Sequence, residues 1–314
     1  MKAIVIENYG STEELKQKQI TIPTLHEDEV LIEVYAAAIN PVDWKTRQGQ
    51  LQEVLHFSFP IILGLDAAGI VVKTGKNVTA YKRGDKVYTK LANVGRGAYA
   101  EYVTEKEEYV ARMPENLTFE QAASVPLAGL TAWQSLVDYG GIQKGDRVFI
   151  HAGAGGVGSF AIQIAKAFGA HVTTTASLTN HDFLKELGAD IVIDYRKEKF
   201  EHVATNDYDI ILDTIGGEVQ EKSYSLLKPG GRLVSIVHAP KEGKLVRDDI
   251  SAEFMWLKPS GKQLSQLSQW IEEEKLKPIV SHVLNFSEEN VRKAHTLSEQ
   301  GHTRGKIVIN VKYF

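Results

Sequence analysis

The feature that most restricts the fold of this chain is a glycine-rich turn near its midpoint. The segment VFIHAGAGGVG occupies residues 148–158 of the 314 residues, and Gly153, Gly155 and Gly158 match the pattern G-x-G-x-x-G. A strand-like apolar run enters the turn, and a helix-like run, SFAIQIAKAFG, leaves it. Strand, glycine turn and helix in this order are typical of a βαβ unit that binds a dinucleotide at the N-terminus of the helix.

Each glycine of this turn has a predicted role. Gly153 allows the tight turn, Gly155 allows the close approach of a pyrophosphate, and Gly158 lets the helix pack on the strand. The N–H groups of the first helical turn, which includes Gly156 and Val157, would point at the phosphates. A P-loop is excluded because no Gly-Lys-Ser/Thr follows. The turn therefore predicts a dinucleotide site.

The stretch after the second predicted strand bears on which dinucleotide binds. A site that prefers NAD carries Asp or Glu about 20 residues beyond the glycines, but no acidic residue occurs here between Gly158 and Asp182. The missing carboxylate removes a repulsion towards the 2′-phosphate of NADP. Candidate contacts to that phosphate are Ser177, Asn180, Tyr195 and Arg196. The last of these is equally consistent with a solvated loop cation. The sequence therefore predicts NADPH.

Two different patterns of apolar runs occur along the chain, and they predict two domains. Residues 1–110 consist of short alternating runs punctuated by Gly and Pro, which is typical of a compact, mostly antiparallel β domain. From about residue 120, strand–helix pairs repeat, which predicts a doubly wound parallel sheet. The final run GKIVINV is again strand-like. We therefore expect an α/β protein with a β domain over residues 1–123 and 265–314 and a dinucleotide-binding domain over 124–264.

Composition narrows the class of protein further. The chain contains no cysteine and has a formal net charge of −4. The absence of cysteine excludes disulfides, cysteine–zinc sites and a cysteine nucleophile, and it fits an intracellular protein. The small net charge gives no sign of a nucleic-acid or membrane partner. No run approaches 18 consecutive apolar residues, and the N-terminal apolar stretch is too short for a signal sequence. We expect a cytoplasmic location.

Several motifs together resemble the medium-chain dehydrogenase/reductase superfamily, in particular its zinc-independent quinone oxidoreductase branch. The resemblance covers essentially the whole chain. It implies a GroES-like β domain followed by a Rossmann domain, with the C-terminus returning to the first domain, which carries the substrate side. The motifs are AAAINPVDWKTRQG, ILGLDAAGIV, GDKV, GAYAEYV, VPLAGLTAW, LGADIVIDY, LDTIGG, LKPGGRLV and GHTRGKIVI, in addition to the glycine turn.

Departures from the zinc-dependent relatives imply that this chain holds no metal. Those relatives place Cys where Asn40 stands and Gly-His-Glu where this chain has Gly64-Leu65-Asp66. Leu65 cannot ligate zinc, and the ten histidines are scattered without paired spacing. Without a Lewis acid to hold an alkoxide, the easier reaction is hydride addition to a conjugated acceptor, whose negative charge moves to a distant carbonyl oxygen.

The resemblance also implies the residues of the site. It puts Asn40 beside the nicotinamide, and Lys45 would then reach the carbonyl oxygen as a cation, unless it is a lysine that extends to solvent at a domain edge. Asp43 braces the loop between them. Thr131 would contact the nicotinamide or a phosphate, or would simply lie on a helix face. Further cofactor contacts implied are Thr214 in LDTIGG and Lys306, which forms a turn with Gly305.

The sequence thus predicts an NADPH-dependent reductase of quinones or α,β-unsaturated carbonyl compounds. Two alternatives stay open: an enoyl-thioester reductase of the same class, and a protein that binds NADPH without turnover. The apolar, strand-like run EFMWL at 253–257 lies late in the second domain. Because exposed strand edges pair with copies of themselves, we expect a homodimer with this run near the interface.

Overall fold

The computed structural model describes residues 1–92, 95–240 and 247–312, and it divides the chain into two compact units. The first unit comprises Met1–Leu127 and Lys258–Phe314, and the second comprises Ala128–Leu257. The first unit is therefore made of two separate stretches of sequence.

The N-terminal stretch of the first unit is mostly strand, as its alternating pattern predicts. In chain order, its elements are β1 (Lys2–Ile6), β2 (Lys16–Gln19), β3 (Glu29–Ala38), α1 (Pro41–Arg47), β4 (Ile61–Ile62), β5 (Asp66–Thr74), β6 (Lys86–Lys90), β7 (Tyr102–Lys106), β8 (Val110–Arg112) and α2 (Phe119–Ala123). Helix α3 (Pro126–Trp133) then leads into the second unit.

The second unit alternates strands and helices, as the spacing of its apolar runs predicts. Its elements are β9 (Arg147–Ile150), α4 (Gly156–Ala167), β10 (His171–Ala176), α5 (His181–Glu186), β11 (Ile191–Asp194), α6 (Phe200–Val203), β12 (Tyr208–Asp213), α7 (Gly217–Ser223), β13 (Leu227–Ser235) and β14 (Ser251–Phe254). All strand pairs of its sheet are parallel, in the order β11-β10-β9-β12-β13-β14. This is the strand order of the Rossmann fold.

The C-terminal stretch completes the first unit. It contains α8 (Gly261–Glu272), β15 (Val280–Asn285), α9 (Glu288–Glu299) and β16 (Lys306–Asn310). Strand β16 pairs antiparallel with β3, so that the main sheet of this unit has the order β15-β16-β3-β5-β6-β8. The predicted return of the C-terminus to the β domain is confirmed, and with it the GroES-like plus Rossmann fold class.

The two units have separate apolar cores. In the first unit, side chains from the strands and from α9 form one buried cluster that includes Ile32, Val71 and Ile309. In the second, Phe149 of β9 is fully buried and packs edge-on against Tyr208, with ring centroids 5.2 Å apart. This contact fixes the strand that leads into the glycine turn.

Two predicted elements differ in detail from the observed ones. The helix predicted near 218–227 ends at Ser223 and continues as a short 3₁₀ turn. The predicted turn KPGG lies inside β13, where Gly230 adopts a left-handed conformation with φ of 78°. Glycine takes up this irregularity without strain, so the strand continues through a segment whose composition is typical of a turn.

Candidate functional site

The glycine turn joins the carboxyl end of β9 to the N-terminus of α4. Gly153 N–H donates to the carbonyl of Thr175 on the neighbouring strand (3.1 Å), and Gly155 N–H donates to the carbonyl of Ala152 (3.1 Å). Gly155 caps α4 with extended backbone, and the helix begins at Gly156. The first N–H groups of a helix have no partner within the helix. The turn therefore presents backbone donors at the positive end of the helix dipole.

The three pattern glycines differ in what the protein itself demands of them. A Cβ at Gly153 would lie 2.2 Å from Thr174 Oγ1, and one at Gly158 would lie 2.5 Å from the carbonyl oxygen of Ala152. A Cβ at Gly155 would meet no atom closer than 3.4 Å. Packing therefore requires the first and last glycines, whereas the space beside Gly155 is open. An open space beside the donors of a helix N-terminus fits a bound phosphate group.

Two of the predicted phosphate contacts follow neighbouring strands. Ser177 comes directly after β10 and Tyr195 directly after β11, and the last residues of these strands pair in register. Asn180 Nδ2 donates to Ser177 Oγ at 3.3 Å, so these two polar groups lie together. Tyr195 is exposed, and the guanidinium of Arg196 lies 5.8 Å from its ring centroid. The parallel sheet thus brings all four residues to its carboxyl edge.

The two predicted threonine contacts lie in different surroundings. Thr214 follows β12, and its hydroxyl donates to the carbonyl of His151 at the start of the glycine turn (2.9 Å). Thr131 is buried on α3. His151 is itself buried, and burial lowers the pKa of its imidazole to about 4. Its Nε2 lies 2.8 Å from Ser223 Oγ. Because the pKa is low, the imidazole is neutral and supports the turn without a charge.

The carboxylate of Asp213 organises the end of β12, a role that sequence reasoning missed. It accepts hydrogen bonds from the N–H groups of Ile215 and Gly216, from Gln220 Nε2 and from Ser235 Oγ, at 2.8–3.1 Å. An Asp that closes a buried strand three residues before a glycine pair is the signal in the sequence. Its contacts hold the loop after β12 in a fixed shape.

In the first unit, the side chains of Asn40, Asp66 and Lys306 form a buried polar cluster, which we call the Lys306 cluster. Asn40 Nδ2 donates to Asp66 Oδ2 at 2.8 Å. Lys306 Nζ donates to the Ile39 carbonyl (3.0 Å), to Asp66 Oδ2 (3.2 Å) and to Asn40 Oδ1. The second oxygen of Asp66 accepts the N–H of Leu127 at 2.7 Å. All three donors of the ammonium and both ends of the amide are therefore used.

The Lys306 cluster places a lysine ammonium among three oxygen atoms. Leu65, which the resemblance places at a metal-ligand position of the zinc-dependent relatives, is buried and apolar. Lys306 is 5% exposed, so its positive charge is compensated almost entirely by Asp66 and by the dipoles of its other two partners. The cluster thus contains its own cation.

Asp43 braces the segment between β3 and α1, as predicted. Its Oδ2 accepts the N–H of Asn40 at 2.8 Å, and its Oδ1 accepts the N–H of Gly64 at 3.2 Å. The hydroxyl of Tyr99 donates to Oδ2 at 3.2 Å. Burial is the largest effect on this carboxyl and raises its pKa to about 7, although the donors and Lys306 act in the opposite direction.

Behind Asp43 lies a chain of hydrogen bonds that sequence reasoning missed. Arg47 donates from Nη1 to His295 Nδ1 at 3.0 Å and from Nη2 to Glu299 Oε1 at 2.6 Å. Because arginine only donates, the neutral imidazole carries its proton on Nε2, which donates to the Tyr99 hydroxyl at 3.3 Å. Burial and the charge of Arg47 lower the pKa of His295 to about 3.

Lys45, predicted as a catalytic cation, lies on α1 with its side chain half-buried. Its Nζ lies 5.7 Å from the ring centroid of Trp44. Burial lowers the pKa of Lys45. The side chain therefore remains accessible and is held by an aromatic neighbour rather than by a carboxylate.

Comparison with known proteins places the chain in a family. Residues 26–115 match the family described as alcohol dehydrogenase GroES-like domain, and residues 187–309 match the family described as zinc-binding dehydrogenase. A chloroplastic NADPH-dependent alkenal/one oxidoreductase of Arabidopsis thaliana is 37% identical, over 98% of this chain and 79% of the relative. The chain belongs to the medium-chain dehydrogenase/reductase superfamily. The superfamily inferred from the sequence motifs is confirmed.

Solved structures of this superfamily have the same fold. The quinone oxidoreductase of Coxiella burnetii superposes with a TM-score of 0.90 at 37% identity, over 99% of both chains. The quinone oxidoreductase of Escherichia coli in complex with NADPH also has a TM-score of 0.90, at 27% identity over 99% of this chain and 100% of the other. Each of these solved structures matches both units of this chain.

The described part of this superfamily member contains no group of three or more His, Cys, Asp or Glu side chains that could hold a metal ion. Over the same residues, no helix has both the length and the apolar character needed to cross a membrane.

Asp43 and His295, two of the buried titratable groups near the Lys306 cluster, predict opposite pH effects. Asp43 has a pKa of about 7 in the folded protein against 3.8 ordinarily, so its contribution to stability falls as pH rises from 4 to 7. His295 has a pKa of about 3 against 6.5, so its contribution is lost as pH falls through that range. We expect the free energy of unfolding of Asp43→Asn, minus that of the wild type, to rise with pH by up to about 1.4 kcal/mol per pH unit.

For His295→Gln the same difference should fall as pH rises from 3 to 6.5. Urea unfolding of both variants and of the wild type, measured between pH 4 and pH 7.5, tests both signs. Parallel stability curves for Asp43→Asn and the wild type would show that Asp43 does not take up a proton on folding.

Proposed function

We propose that this protein is an NADPH-dependent oxidoreductase that transfers a hydride to quinones or α,β-unsaturated carbonyl compounds without zinc. The observation that carries the proposal is the open space beside Gly155, at the N-terminus of α4. It occurs in a chain that is 37% identical to an NADPH-dependent alkenal/one oxidoreductase. When bound, a reduced nicotinamide cofactor supplies the hydride. The protein's residues must bind it, orient the acceptor and meet the developing charge.

The residues of the second unit fit such a cofactor. The N–H groups of Gly156 and Val157 open α4 and would donate to the pyrophosphate. Ser177, Asn180 and Tyr195 would contact the 2′-phosphate, since no carboxylate follows β10 directly. Thr131 and Thr214 remain proposed contacts to the rest of the cofactor. We assign Lys306 to holding Asn40 in place, because its donors are used by protein oxygens.

Zinc does not fit the residues of the first unit. A metal at this position would have to displace the ammonium of Lys306 from Asn40 and Asp66. Leu65 offers no donor atom. The amide of Asn40 is already bonded at both ends, and an amide is a poor ligand for zinc compared with thiolate or imidazole. We therefore propose catalysis that proceeds without a metal.

The absence of a Lewis acid favours a conjugated acceptor. Oxidation of an alcohol requires a group that stabilises the alkoxide, and zinc does this in metal-dependent dehydrogenases. Hydride addition to an enone instead places the charge on the carbonyl oxygen, where a single donor is sufficient. Asn40 and Lys45 are the residues proposed for this side of the reaction. The Lys306 cluster fixes the amide of Asn40, and Lys45 supplies a cation on the adjacent helix.

A substrate panel tests the proposed activity. We expect NADPH oxidation with quinones, alkenals or alkenones, stable to chelators, in a preparation without stoichiometric zinc. Gly155→Ala should fold normally, because its Cβ has room, but should lose most NADPH binding, because the methyl group takes the place of the phosphate. NADPH binding without turnover of any acceptor would favour a protein that binds NADPH without catalysis. Turnover of enoyl thioesters alone would favour an enoyl-thioester reductase.

The choice of cofactor can be tested at Ser177. We expect NADPH to bind at least about tenfold more tightly than NADH, a difference of about 1.4 kcal/mol. Ser177→Asp should reduce this preference, because a carboxylate after β10 repels the 2′-phosphate and accepts from a ribose hydroxyl. Asn206→Asp is the control. It adds the same charge just before β12, at the amino ends of the parallel strands, whereas Ser177 lies at their carboxyl ends. Equal affinities of the wild type for both cofactors would contradict the prediction.

We further propose a cytoplasmic homodimer with small-molecule substrates and no nucleic-acid partner. The strand β14 forms one edge of the second sheet, and Trp256 just beyond it is 48% exposed. Phe254 and Trp256 pack together with ring centroids 6.0 Å apart. An edge strand followed by an exposed aromatic residue favours pairing with a second copy.

Light scattering at micromolar concentration tests the assembly. We expect a dimer for the wild type and a monomer for Trp256→Glu, because a charge at the interface opposes association. Ile191→Glu is the matched control: Ile191 is 49% exposed and lies on β11, the opposite edge strand of the same sheet. A monomeric wild type, or equal effects of the two substitutions, would refute the predicted interface.

A further inference from the structure

We propose that Lys90 is a further catalytic residue of this protein, whose ammonium protonates the carbonyl oxygen of an α,β-unsaturated carbonyl substrate. The proposal rests on the proposed function and deepens it, since it names the proton donor. Lys90 is the last residue of β6. Neither the local sequence pattern nor the resemblance to the superfamily singles it out.

The first observation is that Lys90 is buried without a hydrogen-bonding partner. The residue is 7% exposed. Within residues 1–92, 95–240 and 247–312, its Nζ makes no hydrogen bond and no ion pair within 4.0 Å. Buried lysines are rare and are normally paired. An ammonium held in this way has its N–H donors available for a ligand.

The second observation is the position of Lys90 beside the Lys306 cluster. Strands β5 and β6 are antiparallel, and Asp66 lies directly opposite Lys90 in their register. Directly opposed residues of an antiparallel pair project from the same face of the sheet. On that face Asp66 contacts Asn40, the residue proposed to lie beside the nicotinamide. The side chain of Lys90 therefore shares a face with the proposed reaction site.

The third observation is the charge around Lys90. Burial lowers the pKa of Lys90, whereas the carboxyl groups of Asp66, Glu105 and Asp43 raise it. None of these carboxyl groups is bonded to the ammonium: Glu105, for example, accepts from the N–H groups of Ala92 (2.5 Å) and Lys106 (2.8 Å). The carboxyl groups act on the lysine from a distance, against the effect of burial, and leave its donors unoccupied.

The other lysines near this face lack one or more of these properties. Lys306, the other buried lysine of the described residues, donates to three protein oxygens. Lys45 is half-buried and rests on the ring of Trp44. Lys86 occupies the same strand and the same face of it as Lys90, four residues earlier, but it is exposed. Lys90 alone among these four combines burial with unoccupied donors.

The step balances with water as the final proton source. A hydride, which a bound reduced nicotinamide would supply, would add to the β-carbon of the enone. The electron pair of the carbon–carbon double bond forms a new double bond to the carbonyl carbon, and the carbonyl π pair moves to oxygen. An N–H bond of Lys90 then breaks as an O–H bond forms. The neutral amine of Lys90 takes a proton from water, and the enol product tautomerises to the saturated ketone. A lysine with a lowered pKa suits this transfer.

Substitution with matched controls tests the role in turnover. With but-3-en-2-one and NADPH, we expect Lys90→Met to reduce kcat by about 10²–10³-fold, the effect of removing one pre-placed donor to a developing oxyanion. The Kd for NADPH should be unchanged, and Lys90→Arg should not restore the wild-type kcat, because a guanidinium keeps the charge but does not release a proton. Lys86→Met, the control on the same strand, should leave kcat and KM unchanged. The kcat of the wild type should fall at high pH as Lys90 loses its proton, and Lys90→Met should lack that limb.

A second measurement requires neither cofactor nor turnover. 4-Nitrophenol is a probe for the cation, since its phenolate mimics the enolate oxygen and absorbs differently from the phenol. We expect the wild type and Lys86→Met to lower the apparent pKa of the bound phenol, and Lys90→Met to lose this effect. Circular dichroism of each variant establishes that the comparison is made between folded proteins.

The outcomes separate this proposal from the one on which it rests. A wild type that oxidises NADPH with enones, together with a Lys90→Met variant of unchanged kcat, overturns the role of Lys90 and leaves the proposed function intact. If Lys45→Met instead causes the loss, Lys45 is the proton donor. A wild type without turnover overturns both the proposed function and the catalytic role of Lys90.

Discussion

The first unit depends on one buried ion pair, between Lys306 and Asp66. The pair joins β16 to β5 across 240 residues of sequence, and the same ammonium reaches Asn40 at the start of α1. A buried charge whose partner is removed costs several kcal/mol, because the remaining charge is left without compensation. The C-terminal strand must therefore return to the N-terminal domain for this site to exist. That requirement explains why one compact unit is built from two distant stretches of sequence.

The same ion pair determines the chemistry that we propose. Because a lysine ammonium lies between Asn40 and Asp66, these residues are not available to a metal. The reaction then needs a donor for the oxygen that gains charge. Among its described residues, the first unit offers one buried ammonium that is fully used, at Lys306, and one that is not, at Lys90. In our proposal, Lys306 therefore has a structural role and Lys90 a chemical one.

In the second unit, the site is built from backbone rather than from side-chain charge. The turn before α4 depends on the close packing of Gly153 and Gly158, and the carboxyl ends of β9, β10 and β11 bring separate polar groups to one edge. The buried groups that support this edge, His151 and Asp213, are satisfied within the unit. A backbone site of this kind fits a phosphate group.

The sequence by itself determined the features that depend on local pattern: the glycine turn, the strand–helix repeat, the missing acid after β10 and the superfamily. It also indicated that Asp43 braces the loop before α1. Asp43 lies three residues after Asn40, and its carboxylate accepts the N–H of Asn40. Only the tertiary structure decided what Lys306 holds, that Tyr99, His295 and Arg47 form one chain behind Asp43, and that Lys90 stands opposite Asp66. The physical reason is that these partners are brought together by strand register and by packing between distant segments, neither of which leaves a periodic signal in the sequence.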